Sequence, residues 1–315
     1  MGSGMSIRRA GRAILGSLVA AVVLAGAASP ALAAKPSGHG GGGGGGGHGS
    51  VLTGNDVSYP QCGGSLPASA AFGVVGLNGG LANTLNPCFG TSTSYPAPSQ
   101  SQLYWALAST TGGTSQPKAS IYVNTGDPGN VYNGTAIADW PTSGSTPYGD
   151  CLTTAVALPS GTYTLGENSA ACAWQYGHDR ASQDVAWLAD AAAALNTQQT
   201  TLVVPGAASA YPWWLDVETG NSWQSDTTMN VADLQGMVAA LQAAGAGVVG
   251  IYSTSSQWGT ITGGSSAGSL AGLPNWIPGA RTLSGARSNC SATSFTGGRV
   301  ALTQWFANPD GDYSC

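Results

Sequence analysis

Charged side chains are scarce in this sequence. They make up 7% of its 315 residues, against about 25% in an average globular protein. The only two glutamates are Glu167 and Glu218. An aspartate, Asp216, stands two residues before Glu218 in the stretch YPWWLDVETGNSW, residues 211–223. With so few charges in the chain, a close carboxylate pair among tryptophans indicates a specific role rather than ordinary surface charge.

Long apolar runs are absent except near the start of the chain. There, Arg8, Arg9 and Arg12 precede an apolar run at residues 14–28, and the small residues of SPALAA follow it. This order is typical of a secretory signal, whereas a membrane span needs about 20 apolar residues. We therefore predict a signal peptide at residues 1–34, used by the general or the twin-arginine route. The mature protein is expected to be secreted and to lack a membrane span.

Basic residues are also few once this signal is removed. The mature chain then keeps 6 basic and 14 acidic residues, a net charge of about −8. Because nucleic-acid binding depends on basic residues that neutralise phosphates, we expect no nucleic-acid partner. Residues 35–50, KPSGHGGGGGGGGHGS, can bury almost nothing and are predicted to be a flexible linker. The remaining residues, 51–315, suffice for one α/β barrel or two small domains.

Motifs that would bind a metal are missing from residues 51–315. They contain no C-x-x-C pair and a single histidine, His178, so we expect neither a metal site nor a cofactor. Six cysteines in an exported chain predict disulfides instead. Fifteen pairings are possible, and proximity along the chain favours Cys62–Cys88, Cys151–Cys172 and Cys290–Cys315.

Short apolar runs bounded by turn residues alternate with helical patterns. The runs, which have the length and continuity of buried parallel strands, are residues 53–58, 72–78, 119–124, 213–218, 247–253, 275–279 and 300–305. The helical patterns cover 99–110, 179–196 and 230–245, the last capped by Asn230. The alternation predicts parallel βα units in one sheet or barrel. We predict a disulfide-pinned insertion at 127–172, and only strands and loops after residue 245.

The carboxylate pair belongs to one of these strand patterns. Alternate side chains of a strand share a face, so Asp216 and Glu218 are predicted to face the same way as Trp214. Leu215 and Val217 then face the opposite way. A turn follows the pair, which places it at the C-terminal end of a barrel strand, where barrel enzymes carry their chemistry.

Two neighbouring carboxylates in an apolar environment do not both ionise readily, so one of them is expected to keep its proton. Cleavage of a glycosidic bond needs both a proton donor and a negative charge beside the developing sugar cation. The tryptophans of the stretch, which could provide flat surfaces for sugar rings, are Trp213, Trp214 and Trp223. The alternative is a structural role, in which either acid caps a helix or pairs with an arginine.

Several stretches resemble the lysozymes of glycoside hydrolase family 25. GNDVS at 54–58 resembles the first strand of that family, usually G-x-D-V-S, and LDVE at 215–218 matches its fourth-strand signature. Later stretches that resemble the family in the expected order are GIYST at 250–254, NWIPG at 275–279, TQW at 303–305 and DGDYS at 310–314. The resemblance implies an α/β fold, an irregular TIM-like β/α barrel of eight strands and about five helices, in a single domain over 51–315.

The resemblance also implies a function. Members of this family cut the β-1,4 bond after N-acetylmuramic acid in peptidoglycan. By match, Glu218 is expected to be the proton donor, and Asp216 its partner that positions the substrate N-acetyl group. Asp56 is expected to be a further active-site carboxylate, and Asp312 a fourth, although Asp310 is two residues away. The expected protein is a secreted, monomeric glycoside hydrolase that acts on a carbohydrate without a cofactor.

Aromatic and polar side chains at strand ends are the candidates for sugar binding, with structural roles as the alternative. They are Tyr122, Asn124, Trp214, Tyr252, Trp276 and Trp305. The sequence departs from the family pattern in its third strand, in TQW and in the 127–172 insertion. The second hypothesis is therefore a catalytically inactive barrel that serves as an extracellular glycan-binding or cell-surface module.

Overall fold

The computed structural model of the protein describes residues 52–79, 83–128, 140–158, 161–264 and 268–315. The predicted signal peptide and linker lie outside these residues. The described strands, numbered β1 to β14 in chain order, are Gly54–Val57, Gly73–Gly76, Asn78–Gly79, Thr84–Leu85, Ala119–Asn124, Ser145–Thr146, Gly149–Asp150, Thr153–Leu158, Gly161–Gly166, Trp213–Asp216, Val249–Tyr252, Asn275–Ala280, Val300–Trp305 and Gly311–Ser314. The described α-helices, α1 to α5, are Gln102–Ala108, Ala170–Gln198, Thr227–Ala243, Ser255–Thr262 and Leu283–Asn289.

Eight of the strands close into a barrel in the order β1, β14, β13, β12, β11, β10, β5, β2. All neighbours are parallel except that β14 runs antiparallel to both β1 and β13. The remaining described strands form three small hairpins, β3–β4, β6–β7 and β8–β9. The predicted fold class, an irregular α/β barrel of eight strands with about five helices, is confirmed.

The inside of the barrel is filled by large side chains. Val74, Trp214, Trp276 and Leu302 form one buried cluster there, and the rings of Trp214 and Trp276 meet edge to face at 6.0 Å. A Cβ atom on Gly250 would lie 2.3 Å from the Trp214 ring, so only glycine leaves room for this tryptophan. The filled interior supports the open end of the barrel, where the C-terminal ends of the parallel strands meet.

A second and larger core lies between the strands and the surrounding helices. It contains outward-facing strand residues such as Leu215 and Val217, together with helix residues such as Leu188, Leu234 and Leu241. The alternation predicted for residues 214–218 is therefore confirmed, because Trp214 packs inside the barrel and its two apolar neighbours pack outside. Among the described residues, no helix is long and apolar enough to cross a membrane.

Two predicted helices begin at different residues in the structure. Helix α2 starts at Ala170, nine residues before the predicted pattern, because Ser169 caps it by accepting a hydrogen bond from Cys172 N. Helix α3 is capped by Asp226. Asn230, the predicted cap, is instead buried within α3, where its side chain donates to Ile261 O at 2.8 Å.

The prediction that helices end at residue 245 was wrong. Helices α4 and α5 follow, and each starts at a threonine cap, Thr254 and Thr282. Both helices are short, with 8 and 7 residues, and α5 buries a single side chain, Ala286. The sequence therefore shows almost none of the periodic spacing of apolar residues by which a helix is predicted.

The expected disulfides are present, and they join the three pairs that are neighbours along the chain. Cys62–Cys88 connects the loop after β1 to the segment after β4, and Cys290–Cys315 connects the end of α5 to the last residue. Cys151–Cys172 connects the hairpins of residues 145–166 to the first turn of α2. This last bond lies in the predicted insertion at 127–172, of which residues 129–139 and 159–160 are outside the described part.

Candidate active site

A cavity of about 220 Å³ opens at the C-terminal ends of the parallel strands. Its lining is polar and aromatic, and it consists of Asp56, Ser58, Pro60, Gln61, Tyr122, Asp216, Glu218, Tyr252, Trp276, Gln304 and Asp310. Three of the four predicted catalytic carboxylates therefore meet in one open cavity. Asp56 comes from β1, Asp216 is the last residue of β10, and Glu218 follows that strand.

The backbone around the carboxylate pair is held by side-chain hydrogen bonds. Asp216 O accepts from Thr125 Oγ1 at 2.6 Å. Glu218 O accepts from Asn221 N at 3.1 Å and from Trp223 Nε1 at 2.8 Å. The turn after β10 is thereby fixed, and both carboxyl groups remain directed into the cavity.

The pKa of Asp216 is clearly raised. Burial raises the pKa of Asp216 well above its usual range, and the negative charges of Glu218 and Asp56 raise it further. Its Oδ1 atom is buried and has no hydrogen-bond partner among the described residues. Asp216 therefore favours its protonated form more than an exposed aspartate does. The sequence predicted one protonated acid in the pair, and the resemblance assigned the role of proton donor to Glu218.

Asp56 is held by a chain of two hydrogen bonds. Tyr252 OH donates to Gln304 Oε1 at 3.0 Å, and Gln304 Nε2 donates to Asp56 Oδ2 at 2.9 Å. Burial raises the pKa of Asp56 to about 7, the bond from Gln304 opposes this increase, and the negative charge of Asp310 adds to it. A pKa near 7 lets Asp56 change its charge close to neutral pH.

Asp312 lies deeper in the barrel than the resemblance predicted. It is fully buried, and its Oδ1 atom accepts from Trp276 Nε1 at 3.0 Å. Burial raises the pKa of Asp312 well above its usual range, as does the negative charge of Asp56, to which the Asp312 side chain is also hydrogen-bonded. Asp310 lines the cavity instead, because β14 runs antiparallel and its first residues lie at the open end of the barrel.

The predicted sugar-binding aromatics divide into two groups. Tyr122, Tyr252 and Trp276 line the cavity, although Trp276 is only 2% exposed and reaches it with a small part of its ring. Trp213 and Trp214 are 0% and 1% exposed and belong to the two cores, so neither can offer its face to a ligand. Both predictions of a sugar-binding surface fail because each indole is completely packed by neighbouring side chains in the core.

The remaining candidates lie outside the cavity lining. Asn124 Oδ1 accepts from Asn221 Nδ2 at 2.7 Å, which ties β5 to the turn after β10. Trp305 packs its ring against Gly311 of β14. Trp223 is half-buried, and its indole holds the backbone of Glu218. These three side chains stabilise the surroundings of the cavity.

Sequence reasoning did not single out Gln304, Pro60 and Gln61. It quoted Ser58 only within the GNDVS stretch and named Asp310 only as the neighbour of Asp312. Gln304 stands in the TQW stretch beside Trp305, and strand alternation with the inward-facing Leu302 would have identified it. Pro60 and Gln61 carry no sequence signal of this kind, since they follow a strand.

A glycine allows the cavity wall to close around Tyr122. A Cβ atom on Gly76 would lie 2.6 Å from the Tyr122 ring and 2.8 Å from Ser58 Cβ. Ser58 and Tyr122 can approach each other only because Gly76 has no side chain.

Comparison with known proteins gives matches of three kinds. Residues 197–277, which include Asp216 and Glu218, match the family described as Lysozyme-like protein 1. A 63-residue stretch is 43% identical to the probable GH family 25 lysozyme 4 of Dictyostelium discoideum, and it covers 20% of this chain and 28% of that protein. The match thus spans little more than a quarter of the curated relative.

The chain also matches solved structures over most of its length. The muramidase from Trichobolus zukalii has 15% sequence identity and a TM-score of 0.41, over 84% of this chain and 94% of that one. The lysozyme from Streptomyces coelicolor has 16% identity and a TM-score of 0.43, over 84% and 92% of the two chains.

Proposed function

Because the chain carries a divergent domain similar to the glycoside hydrolase family 25 lysozymes, we propose that it is a glycoside hydrolase that cleaves an N-acetylated cell-wall glycan such as peptidoglycan. The observation that carries the proposal is the meeting of Asp56, Asp216 and Glu218 in one open cavity. Carboxyl groups in unequal environments are the chemical requirement for glycoside cleavage.

Each carboxyl group has a distinct role in this proposal. Glu218 donates the proton to the leaving oxygen of the glycosidic bond. Asp216, which lines the cavity and whose pKa is raised well above its usual range by burial, holds the N-acetyl group of the sugar through a hydrogen bond. Asp56 supplies negative charge beside the sugar cation that develops in the transition state. Its pKa of about 7 means that about half of this charge is present at neutral pH and that the charge increases as the pH rises.

Aromatic side chains bind the sugar in the proposed complex. Tyr122, Tyr252 and Trp276 line the cavity around the carboxyl groups. The Trp276 indole donates its N–H to Asp312 and the Tyr252 hydroxyl donates to Gln304, so both rings are held in place before the ligand binds. Rings that are ordered in advance lose little conformational entropy on binding.

Secretion of the mature chain belongs to the proposal as well. The three disulfides are of a kind that persists in an oxidising compartment, and a cell-wall glycan is found outside the cell membrane. The predicted signal at residues 1–34 and linker at 35–50 supply the route of export and a tether before the barrel.

The test uses the two glutamates of the chain as a matched pair. Wild-type protein is incubated with purified peptidoglycan, and the release of reducing ends is measured. Glu218→Gln should lower the rate by at least about 100-fold, the lower range for loss of a general acid. Glu167→Gln is the control, because Glu167 lies outside the cavity, and it should cleave at the wild-type rate.

Two outcomes would contradict the proposal. Wild-type protein that binds peptidoglycan without releasing reducing ends would favour the second hypothesis, the inactive glycan-binding module. Equal rates for wild type and Glu218→Gln would remove Glu218 from the mechanism. Thermal unfolding and binding of each variant to insoluble peptidoglycan check that any loss of rate is not a loss of fold.

A further inference from the structure

A second hollow lies next to the cavity, across the segment of residues 58–61. Its volume is about 520 Å³, and Tyr59, Leu85 and Pro87 are among its lining residues. Ser58, Pro60 and Gln61 line the cavity, so Tyr59 faces one hollow while its chain neighbours face the other. A ligand that extends past this segment would therefore contact both.

The hollow exposes apolar side chains that a soluble protein usually covers. Tyr59 is 66% exposed and Leu85 is 38% exposed, and both contribute to the same concave surface. Ligand sites are typically concave surfaces lined by apolar and aromatic side chains. An aromatic ring beside an aliphatic side chain offers a flat surface for a ligand with an apolar face.

The turn that carries Tyr59 is held by hydrogen bonds and a disulfide. Residues Tyr59–Gln61 form a single helical turn, in which Cys62 N donates to Tyr59 O at 3.0 Å and Ser58 N donates to Gln61 Oε1 at 2.8 Å. The Cys62–Cys88 disulfide then joins this turn to the other side of the hollow. A preorganised surface needs little ordering when a ligand binds.

The polar residues of the hollow are occupied by contacts within the protein. Asn78 Nδ2 donates to Asp184 Oδ1 at 3.0 Å, and Asn78 Oδ1 accepts from Asn124 N at 2.6 Å. Asn86 Nδ2 donates to Gly76 O at 2.7 Å. No charged residue is found among the described residues that line the hollow. The ligand that fits is neutral, with an apolar face and a polar rim that remains in water.

We propose that this hollow is a subsite for one sugar ring of the glycan, beyond the sugars that flank the bond to be cleaved, with the ring of Tyr59 stacked on the pyranose face. A pyranose has an apolar C–H face and an outward rim of hydroxyl groups, which matches the lining. A stem peptide with its ionised carboxylates does not match it. The inference rests on the proposed function and specifies that the substrate is a chain longer than the cavity alone would hold.

The experiment measures binding separately from cleavage. Glu218→Gln protein, in which the ligand stays intact, is titrated calorimetrically with uncharged N-acetylglucosamine oligomers, from the disaccharide to the hexasaccharide. Affinity should increase with chain length. Tyr59→Ala, added to the same background, should weaken binding of the hexasaccharide by about tenfold, the effect of losing one stacked ring. Tyr59→Phe should restore it, since only the hydroxyl is lost.

Tyr163→Ala is the matched control, because Tyr163 is an exposed tyrosine of β9 that lines neither hollow, and it should bind as the background does. Unchanged hexasaccharide affinity in Tyr59→Ala would overturn the inference and leave the proposed function intact. The inference also fails if Tyr59→Ala weakens binding only of glycan fragments that carry a stem peptide. Failure of every oligomer to bind would overturn the inference and leave the proposed function to the peptidoglycan assay, whereas a Tyr59-dependent affinity in a protein that cleaves nothing would overturn only the enzymatic proposal.

Discussion

Removing the amide of Gln304 should raise the pKa of Asp56 above its value of about 7. The bond from Gln304 Nε2 to Asp56 Oδ2, 2.9 Å long, is the largest effect that opposes the increase due to burial. A hydrogen bond to a charged group contributes about 1.5–3 kcal/mol, and 1.36 kcal/mol corresponds to about one pKa unit. Gln304→Leu, which replaces the amide by an apolar group of similar length, should therefore move the titration midpoint of Asp56 upward by roughly 1 to 2 pH units.

The direct assay is a pH titration of the Asp56 carboxyl carbon by NMR, with the signal assigned by Asp56→Asn. Wild type should titrate near pH 7, and Gln304→Leu at higher pH. If the ionised form of Asp56 assists cleavage, the variant should be slower than wild type at neutral pH and should recover as the pH is raised. Tyr252→Phe is the graded control, because it removes the bond to Gln304 Oε1 but leaves the donor to Asp56 in place, and it should give a smaller change.

An unchanged or lowered midpoint in Gln304→Leu would refute this reasoning. Circular dichroism and thermal unfolding of each variant must show that the barrel is intact, since Gln304 is a buried residue of β13. A rate that falls without any change in the titration of Asp56 would assign Gln304 to ligand binding rather than to the control of this carboxyl group.

Two further predictions concern stability. Burial and the charge of Asp127 raise the pKa of Asp233 well above its usual range. The folded state therefore keeps a proton that the unfolded state releases, so this contribution to stability is complete below the unfolded pKa of about 3.9 and is lost as the pH rises through the folded pKa. Asp233→Asn should stabilise the protein relative to wild type more at pH 8 than at pH 5 in urea unfolding, and an equal difference at both values would contradict the assignment. Gly250→Ala, whose Cβ would lie 2.3 Å from the Trp214 ring, should lower the free energy of unfolding by about 1–3 kcal/mol. Gly259→Ala, on an open face of α4 with no atom within 4 Å, should raise it by up to about 1 kcal/mol; thermal unfolding changes of the same sign in both would refute this account.

The carboxylate pair was predictable because a strand has a period of two residues. Trp214, Asp216 and Glu218 share a parity, and strand register alone directs them to one side while Leu215 and Val217 pack outward. The same rule could not decide between Asp310 and Asp312, which also share a parity. Their depth depends on the direction of β14 in the barrel, which is a property of the tertiary structure and not of local sequence.

Other features were hidden for different physical reasons. Helices α4 and α5 are short and bury only three side chains and one side chain, respectively, so they lack the extended apolar stripe that reveals a helix in a sequence. The tryptophans around the pair looked like sugar platforms because a sequence does not distinguish a buried aromatic from one at a cavity. Trp276 and Trp214 both point into the barrel, and only the former reaches the cavity.

The antiparallel strand β14 makes completion of the barrel a long-range event in the chain. Gly54 of β1 pairs with Asp312 of β14, and Asp310, the residue before the same strand, meets Asp56 in the cavity. The two ends of the domain thus form the seam of the barrel and one wall of the cavity together. A partly folded chain in which β14 has not yet docked has an open sheet edge and an incomplete cavity, so the cavity cannot be assembled before the barrel has closed.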